Sequence, residues 1–164
     1  MPICILIADD HQLFRESLRI LLEATTDFCI VGEAQNGREC LALAENLHPD
    51  VVVMDYMMPD INGVDVTLRL RKQQPDTCVV ILSMHGDACY VSSAIQNGAS
   101  GYVLKEDSID HLAKAVNAAA AGQFYFSPGI GEHVSLPGLA NGTSAKEDFT
   151  RVNHRGNEMI TQPF

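Results

Sequence analysis

Five short apolar runs punctuate the first two thirds of the chain. They are Ile3-Cys4-Ile5-Leu6-Ile7-Ala8, Phe28-Cys29-Ile30-Val31-Gly32-Glu33-Ala34, Val51-Val52-Val53-Met54, Cys78-Val79-Val80-Ile81-Leu82 and Gly101-Tyr102-Val103-Leu104. Short continuous runs rich in β-branched residues predict strands buried on both faces of a parallel sheet. The intervening stretches carry helical spacing. Phe14, Leu18, Leu21 and Leu22 recur on one face, with Arg15, Glu16 and Arg19 between them. Leu41, Ala44 and Leu47 mark a second helix, and Val91, Ala94 and Ile95 mark another that stops at Gly98. Ile109, Leu112, Ala113, Val116 and Ala120 follow Ser108, a residue type suited to cap a helix.

Residues 63–74 give a mixed signal. Val64, Val66, Leu68 and Leu70 alternate with polar residues, which is the period of a strand. A helix is predicted nonetheless. A strand directly after the preceding turn would have to pair antiparallel, and Arg69-Leu70-Arg71-Lys72-Gln73-Gln74 favours helix by propensity. Five strand–helix units in about 121 residues predict an α/β fold: a doubly wound, five-stranded parallel sheet with helices on both faces.

Composition narrows the function classes. No apolar run approaches the roughly 20 residues of a membrane helix, and no basic-then-apolar leader is visible. The expected location is the cytoplasm, with no membrane partner. The five cysteines are odd in number and scattered, without a Cys-x-x-Cys. Cys4, Cys29 and Cys78 fall in or beside strand runs and are expected to be buried small hydrophobes. The six histidines lack metal-ligand spacing, so no zinc site is expected. Net charge is −10; residues 1–121 hold 8 Lys+Arg against 17 Asp+Glu, and the remaining 43 hold 3 against 4. Neither part has the basic footprint of sequence-independent DNA binding.

The chemistry sits where strands end. In a parallel sheet the carboxyl ends share one edge, the edge at which open α/β sheets bind ligands. Four runs end in polar residues of useful kinds: Asp9-Asp10, Asp55, Ser83 and Lys105. Clustered carboxylates suit a hard, oxygen-seeking cation such as Mg2+. A lysine and a hydroxyl beside them suit a phosphoryl group in transfer, which needs positioning and charge neutralisation. An aspartate can itself be the nucleophile. As plainer alternatives, Asp9 and Asp10 cap the first helix while Lys105 pairs with them, and Asp55 starts a turn.

The acidic pair Asp9-Asp10, Asp55 within MDYMMPDINGVD, Ser83 in ILSMHGD and the fifth run GASGYVLKED together resemble the receiver domain of two-component response regulators, across residues 1–126. DDHQLFRESLRILLE, LSMH, GYVLK followed by an acid, and YFSP are similar to the NarL/FixJ (LuxR-type) subfamily. The resemblance implies a CheY-like receiver that is a phospho-acceptor switch rather than an enzyme acting on other molecules. Asp55 would take a phosphoryl group from a sensor histidine kinase. Asp10, Asp55 and the Met57 backbone carbonyl would hold Mg2+, with Asp9 acting through water. Lys105 would contact the phosphoryl oxygens. Ser83 would move to the phosphoryl group and Tyr102 would turn inward behind it. Homodimerisation through receiver helices is implied, and transcription regulation is the family's output. Two positions depart from the common pattern. Glu106 follows the lysine where many receivers have proline, so no cis bond is expected there. Met84 is bulky for its position and is expected to restrict water at Asp55. His85 reads as a solvated loop histidine at the site entrance.

Residues 127–164 read as a linker and tail. They are turn-rich, lack periodicity and are expected to be largely disordered. Residues 149–160, FTRVNHRGNEMI, faintly resemble the opening of the subfamily's DNA-binding domain. DNA contact is therefore expected only through a domain absent or truncated here. Three rival readings remain. A phosphohydrolase with an Asp nucleophile resembles Asp-x-Asp-x-Thr, whereas Met57 stands two residues after Asp55. Flavodoxin-like cofactor binding needs a phosphate-cradling loop after the first strand, which is missing. A receiver used only as a phosphorylation-independent protein-docking module would not need Asp10, Asp55, Ser83 and Lys105 together.

Overall fold

The computed structural model describes residues 1–130. Its strands are β1 (Ile3–Ala8), β2 (Phe28–Ala34), β3 (Val51–Asp55), β4 (Cys78–Ser83), β5 (Gly101–Leu104) and a two-residue β6 (Tyr125–Phe126). The helices α1 (Gln12–Glu23), α2 (Gly37–Leu47), α3 (Gly63–Gln73), α4 (Ala88–Gln96) and α5 (Ile109–Ala120) alternate with them. The sheet order is β2-β1-β3-β4-β5-β6, and every neighbouring pair is parallel. The doubly wound α/β fold expected from the sequence is what forms, with one short strand added at the β5 edge. Two residues are too few to display a strand period, so β6 is silent in the sequence.

The alternation of strand side chains sorts the core into two layers. Ile5, Ile7, Val51, Val53, Val80, Leu82 and Val103 face α1 and α5, meeting Leu18, Leu22, Leu112 and Val116. Leu6, Val52, Met54, Ile81, Tyr102 and Leu104 face the other way, meeting residues of α2, α3 and α4. β3 is buried at every position, which explains its unbroken apolar run. The helix over 63–73 forms despite the alternating pattern. Val64, Val66, Thr67 and Leu70 are buried, while Leu68 lies at the surface.

Several local expectations are corrected. Among the cysteines only Cys40, on α2, is buried; Cys29 is exposed and Cys4 and Cys78 are partly so. β2 is an edge strand, and Cys4 and Cys78 lie at the amino-terminal margin of the sheet. Burial pushes the Cys40 thiol up to about 12, which makes it unreactive. Ser108 occupies the N-cap of α5, but its side chain makes no capping bond. Asn36 and Asn62 do cap α2 and α3, through Glu39 N–H and Asp65 N–H. Leu21 on α1 is exposed rather than packed. Residues 127–130, expected to start a linker, belong to the folded body. Ser127 is fully buried and Ile130 packs into the core beside Tyr102, because a turn brings the chain back onto β5. The expected disorder and the resemblance at 149–160 lie outside the described residues. No helix among the described residues is long and apolar enough to cross a membrane.

Gly63 opens α3 against the end of β3. Its N–H donates to the Tyr56 carbonyl at 2.8 Å, and a Cβ here would run into the Asp55 carbonyl oxygen. Backbone cannot yield as a flexible side chain can. Gly63→Ala is therefore expected to destabilise the fold by roughly 2–4 kcal/mol, measured by urea unfolding. A midpoint equal to wild type would contradict this close approach.

Candidate functional site

Parallel pairing brings the ends of β1, β3, β4 and β5 to one edge, in that spatial order. Asp9 follows β1, Asp55 ends β3, Ser83 ends β4 and Lys105 follows β5. Asp9 and Asp55 are 1% and 5% exposed, so both carboxylates are withdrawn from bulk water. Lys105 crosses to them, with Nζ 2.7 Å from Asp9 Oδ2 and 3.2 Å from Asp55 Oδ2. It also lies 4.4 Å from the centre of the Phe14 ring, a cation–π contact that adds hold on the ammonium. Of the plainer alternative, in which Asp9 and Asp10 cap the first helix and Lys105 pairs with them, only the Lys105–Asp9 pair is present; the second partner of Lys105 is Asp55, and the N-cap of α1 is His11.

Asp9 is fixed on several sides. Its N–H donates to the Ala34 carbonyl, its own carbonyl accepts from Arg15 Nη1 at 2.6 Å, and its Oδ1 accepts from His11 N–H at 2.8 Å. Asp10 is more open, and its Oδ1 lies 3.2 Å from His11 Nδ1. One ligand atom from each of Asp9, Asp10, His11 and Asp55 can be chosen so that all lie within 4.8 Å of one another. A pocket of three carboxylates is compatible with a divalent metal ion. His11 was not singled out from the sequence; its place directly after the acidic pair was the available signal.

Asp55 Oδ1 accepts from Met57 N–H at 3.2 Å, which sets the Met57 backbone beside the carboxylate while its side chain is exposed. Met84, on the loop after β4, is also exposed. The loop after Asp55 is tied down further along, where Asp60 accepts from the N–H groups of Gly37 and Arg38 at 2.8 and 2.9 Å. Desolvation pushes the Asp55 carboxyl above the ordinary carboxylate range. Lys105 opposes that shift, Asp9 adds to it, and the Met57 N–H opposes it.

Ser83 and Tyr102 sit behind the carboxylates. Ser83 is 1% exposed and its Oγ accepts from His85 N–H at 3.0 Å. Tyr102 is fully buried and its hydroxyl donates to the His85 carbonyl at 2.6 Å. Burial pushes that hydroxyl up to about 12, against a hydrogen bond with Ser83 that pulls it down. Tyr102 thus stands inward, held at the His85 carbonyl. The His85 backbone joins both residues, and its ring stacks on Tyr90 with centroids 4.9 Å apart. Tyr90 meets Tyr56 edge-on at 5.2 Å, and Tyr56 meets Tyr102 at 6.4 Å. This aromatic chain was not foreseen, because its four members lie on four separate segments: the loops after β3 and β4, α4 and β5. Among the described residues no peptide bond is cis, as expected with Glu106 after the lysine.

Comparison with known proteins places the chain in a family. Residues 5–117 match the family model described as response regulator receiver domain. The chain is 42% identical over 126 residues to the transcriptional regulatory protein DegU of Brevibacillus brevis, covering 77% of this chain and 53% of that protein. It is 31% identical over 159 residues to the nitrate/nitrite response regulator protein NarL of Escherichia coli K12, covering 97% of this chain and 74% of NarL. The chain thus spans about half the length of the DegU relative. Among solved structures, the signal receiver domain of a NarL response regulator from Mycobacterium tuberculosis superimposes with a TM-score of 0.72 at 34% identity, over 74% of this chain and 98% of that one.

The raised carboxyl of Asp55 has a consequence for stability. A folded value above the unfolded one means that the folded state holds the proton more tightly. The stabilisation is complete below the unfolded value and is lost as pH rises through the folded one. At neutral pH the ionised Asp55 is therefore a cost. In metal-free buffer, Asp55→Asn is expected to raise the thermal midpoint at pH 7 by roughly 3 °C or more, with a smaller gain at pH 4. Thermal scans across that range check it; a lowered midpoint at pH 7 would contradict it.

Proposed function

As this chain belongs to the response regulator receiver domain family, we propose that it is a phosphorylation-controlled switch in which Asp55 accepts a phosphoryl group from the phosphohistidine of a sensor histidine kinase. The observation that carries this reading is the withdrawn Asp55 carboxylate with the Lys105 ammonium 3.2 Å away and two further carboxylates beside it. An Asp55 oxygen attacks phosphorus; the new O–P bond forms as the P–N bond to the donor imidazole breaks, and the imidazole leaves with the electron pair. Lys105 exchanges its contacts with Asp9 and Asp55 for the phosphoryl oxygens and balances charge there. The Phe14 ring, 4.4 Å from the Lys105 ammonium, keeps that charge at the site during the exchange.

Asp10, Asp55 and the Met57 backbone carbonyl would hold Mg2+, with Asp9 contributing through water. The all-oxygen character of that set fits a hard cation. Bound there, the ion would supply the positive charge that lets three carboxylates and a phosphoryl group share one pocket. Ser83 then turns its hydroxyl to the phosphoryl oxygens, giving up the His85 N–H. Tyr102 holds the His85 carbonyl when inward. In this reading phosphorylation favours the arrangement with Tyr102 inward, a shift between pre-existing populations. The domain acts on its own carboxylate and has no separate substrate. Its output is transcription regulation, as the name of the DegU relative states for that protein, exercised through residues beyond the receiver and aided by pairing of receivers as homodimers.

Intact-mass spectrometry after incubation with Mg2+ and acetyl phosphate tests the reading. Wild type is expected to gain one phosphoryl mass and Asp55→Ala none. Lys105→Ala is expected to gain it at least about tenfold more slowly. No gain in wild type, with no Mg2+ binding, would favour a phosphorylation-independent docking module. A gain in Asp55→Ala would mean that another residue is the acceptor.

A further inference from the structure

The segment that follows α5 is tied to the strand that delivers Lys105. β6 pairs in register with β5, Tyr125 opposite Gly101 and Phe126 opposite Tyr102. Tyr125 N–H donates to the Ser100 carbonyl at 3.2 Å, and Ser127 N–H to the Tyr102 carbonyl at 3.0 Å. The next bond of a regular ladder would run from Leu104 N–H to the Ser127 carbonyl. That carbonyl is engaged elsewhere, because it accepts from Ile130 N–H at 3.0 Å and closes a turn through Pro128 and Gly129. The Ser127 hydroxyl takes its place and accepts from Leu104 N–H at 3.1 Å. Ser127 is fully buried, so water cannot do this for it. Leu104 immediately precedes Lys105, whose own N–H donates to the Ser83 carbonyl at 2.9 Å on the opposite side. The end of β5 is thus held between two serines, Ser83 on β4 and Ser127 after β6.

Two further contacts make this a strap rather than a loose end. Ile130, 1% exposed, packs in the same cluster as Tyr102 and Leu104. The Tyr125 hydroxyl lies 2.6 Å from His111 Nδ1, which fastens β6 to α5 independently of Ser127.

We propose that Ser127 is a positioning residue for phosphoryl transfer at Asp55, acting through the Leu104 N–H to set Lys105 and Tyr102, and that the 125–130 strap couples the occupied site to the residues beyond it. This rests on Asp55 being the phospho-acceptor. Ser127 is bonded to the Tyr102 carbonyl and to the Leu104 N–H, and its own carbonyl holds Ile130 N–H, so a shift of Tyr102 or of the segment leading to Lys105 is passed to Ser127 and from it to Ile130.

The test compares Ser127→Ala and Ser127→Thr with wild type. The rate of Asp55 phosphorylation by acetyl phosphate with Mg2+ is followed by intact mass, and the thermal midpoint is measured alongside. Ser127→Ala, which deletes the acceptor, is expected to slow phosphorylation 3- to 10-fold, and Ser127→Thr, which keeps it, to restore at least half of the wild-type rate. A lowered midpoint with an unchanged rate would make Ser127 merely structural and overturn the proposal. Coupling is read on wild type alone, so it stands even if Ser127→Ala fails to fold. Amide exchange is followed by NMR with and without beryllofluoride and Mg2+, a phosphoryl analogue. Exchange at Leu104 and Ile130 is expected to change at least threefold on binding, and no change there would overturn the strap. Absence of phosphoryl uptake by wild type is a separate result that removes the acceptor reading itself.

Discussion

The ion pair between Lys105 and the two buried aspartates, Asp9 and Asp55, is the contact on which the site depends. A parallel sheet sends all its strand ends to one edge, so carboxylates that follow adjacent strands are forced together. Removing charges from water is costly, and only close opposite charge with further hydrogen bonds offsets it. One ammonium serves two carboxylates here. The offset is incomplete, which is why the Asp55 carboxyl lies above its ordinary range even beside a lysine. A site with too little positive charge favours the binding of a cation beside its carboxylates.

Most of the fold and the centre of the site were legible in the sequence, for physical reasons. The buried β3 and its neighbours leave continuous apolar runs, and the polar residue closing each run names its strand end. Asp9, Asp10, Asp55, Ser83 and Lys105 could therefore be placed on one edge before any geometry was known. What stayed hidden depends on relations between elements. Cys29 looks buried by its neighbours, but β2 is an edge strand. The Tyr56–Tyr90–His85 chain assembles from three elements with no sequence spacing in common. Ser127 sits in a stretch whose proline and glycine announce a turn. That the turn folds back onto β5 is a matter of hydrogen-bond accounting that composition does not carry.

Ser83 and Tyr102, the proposed switch residues, show the same dependence on backbone. The two lie on neighbouring strands without being partners in the ladder, Ser83 standing opposite Leu104 and Tyr102 opposite Ile81; both meet at the backbone of His85, one at its N–H and one at its carbonyl. The histidine ring, stacked on Tyr90, extends that junction to α4. A side chain that reads as an idle loop histidine thus occupies the point through which the loop after β4 is held. The identity of the residue matters less than the two backbone groups, except for the stacking that the ring provides.

The two loops that flank Asp55 are fastened very differently. The one after β3 is closed by Met57 N–H on Asp55, by Gly63 N–H on Tyr56 and by Asp60 across the amino end of α2, with Met58 buried beneath. The one after β4 leads through exposed Met84, His85 and Asp87 into a helix whose N-cap makes no side-chain bond. In mechanical terms the site is a vice with one fixed jaw and one sprung jaw. In the proposed switch the β4–α4 side, held chiefly at His85, has the fewer bonds to give up and is the side that yields first.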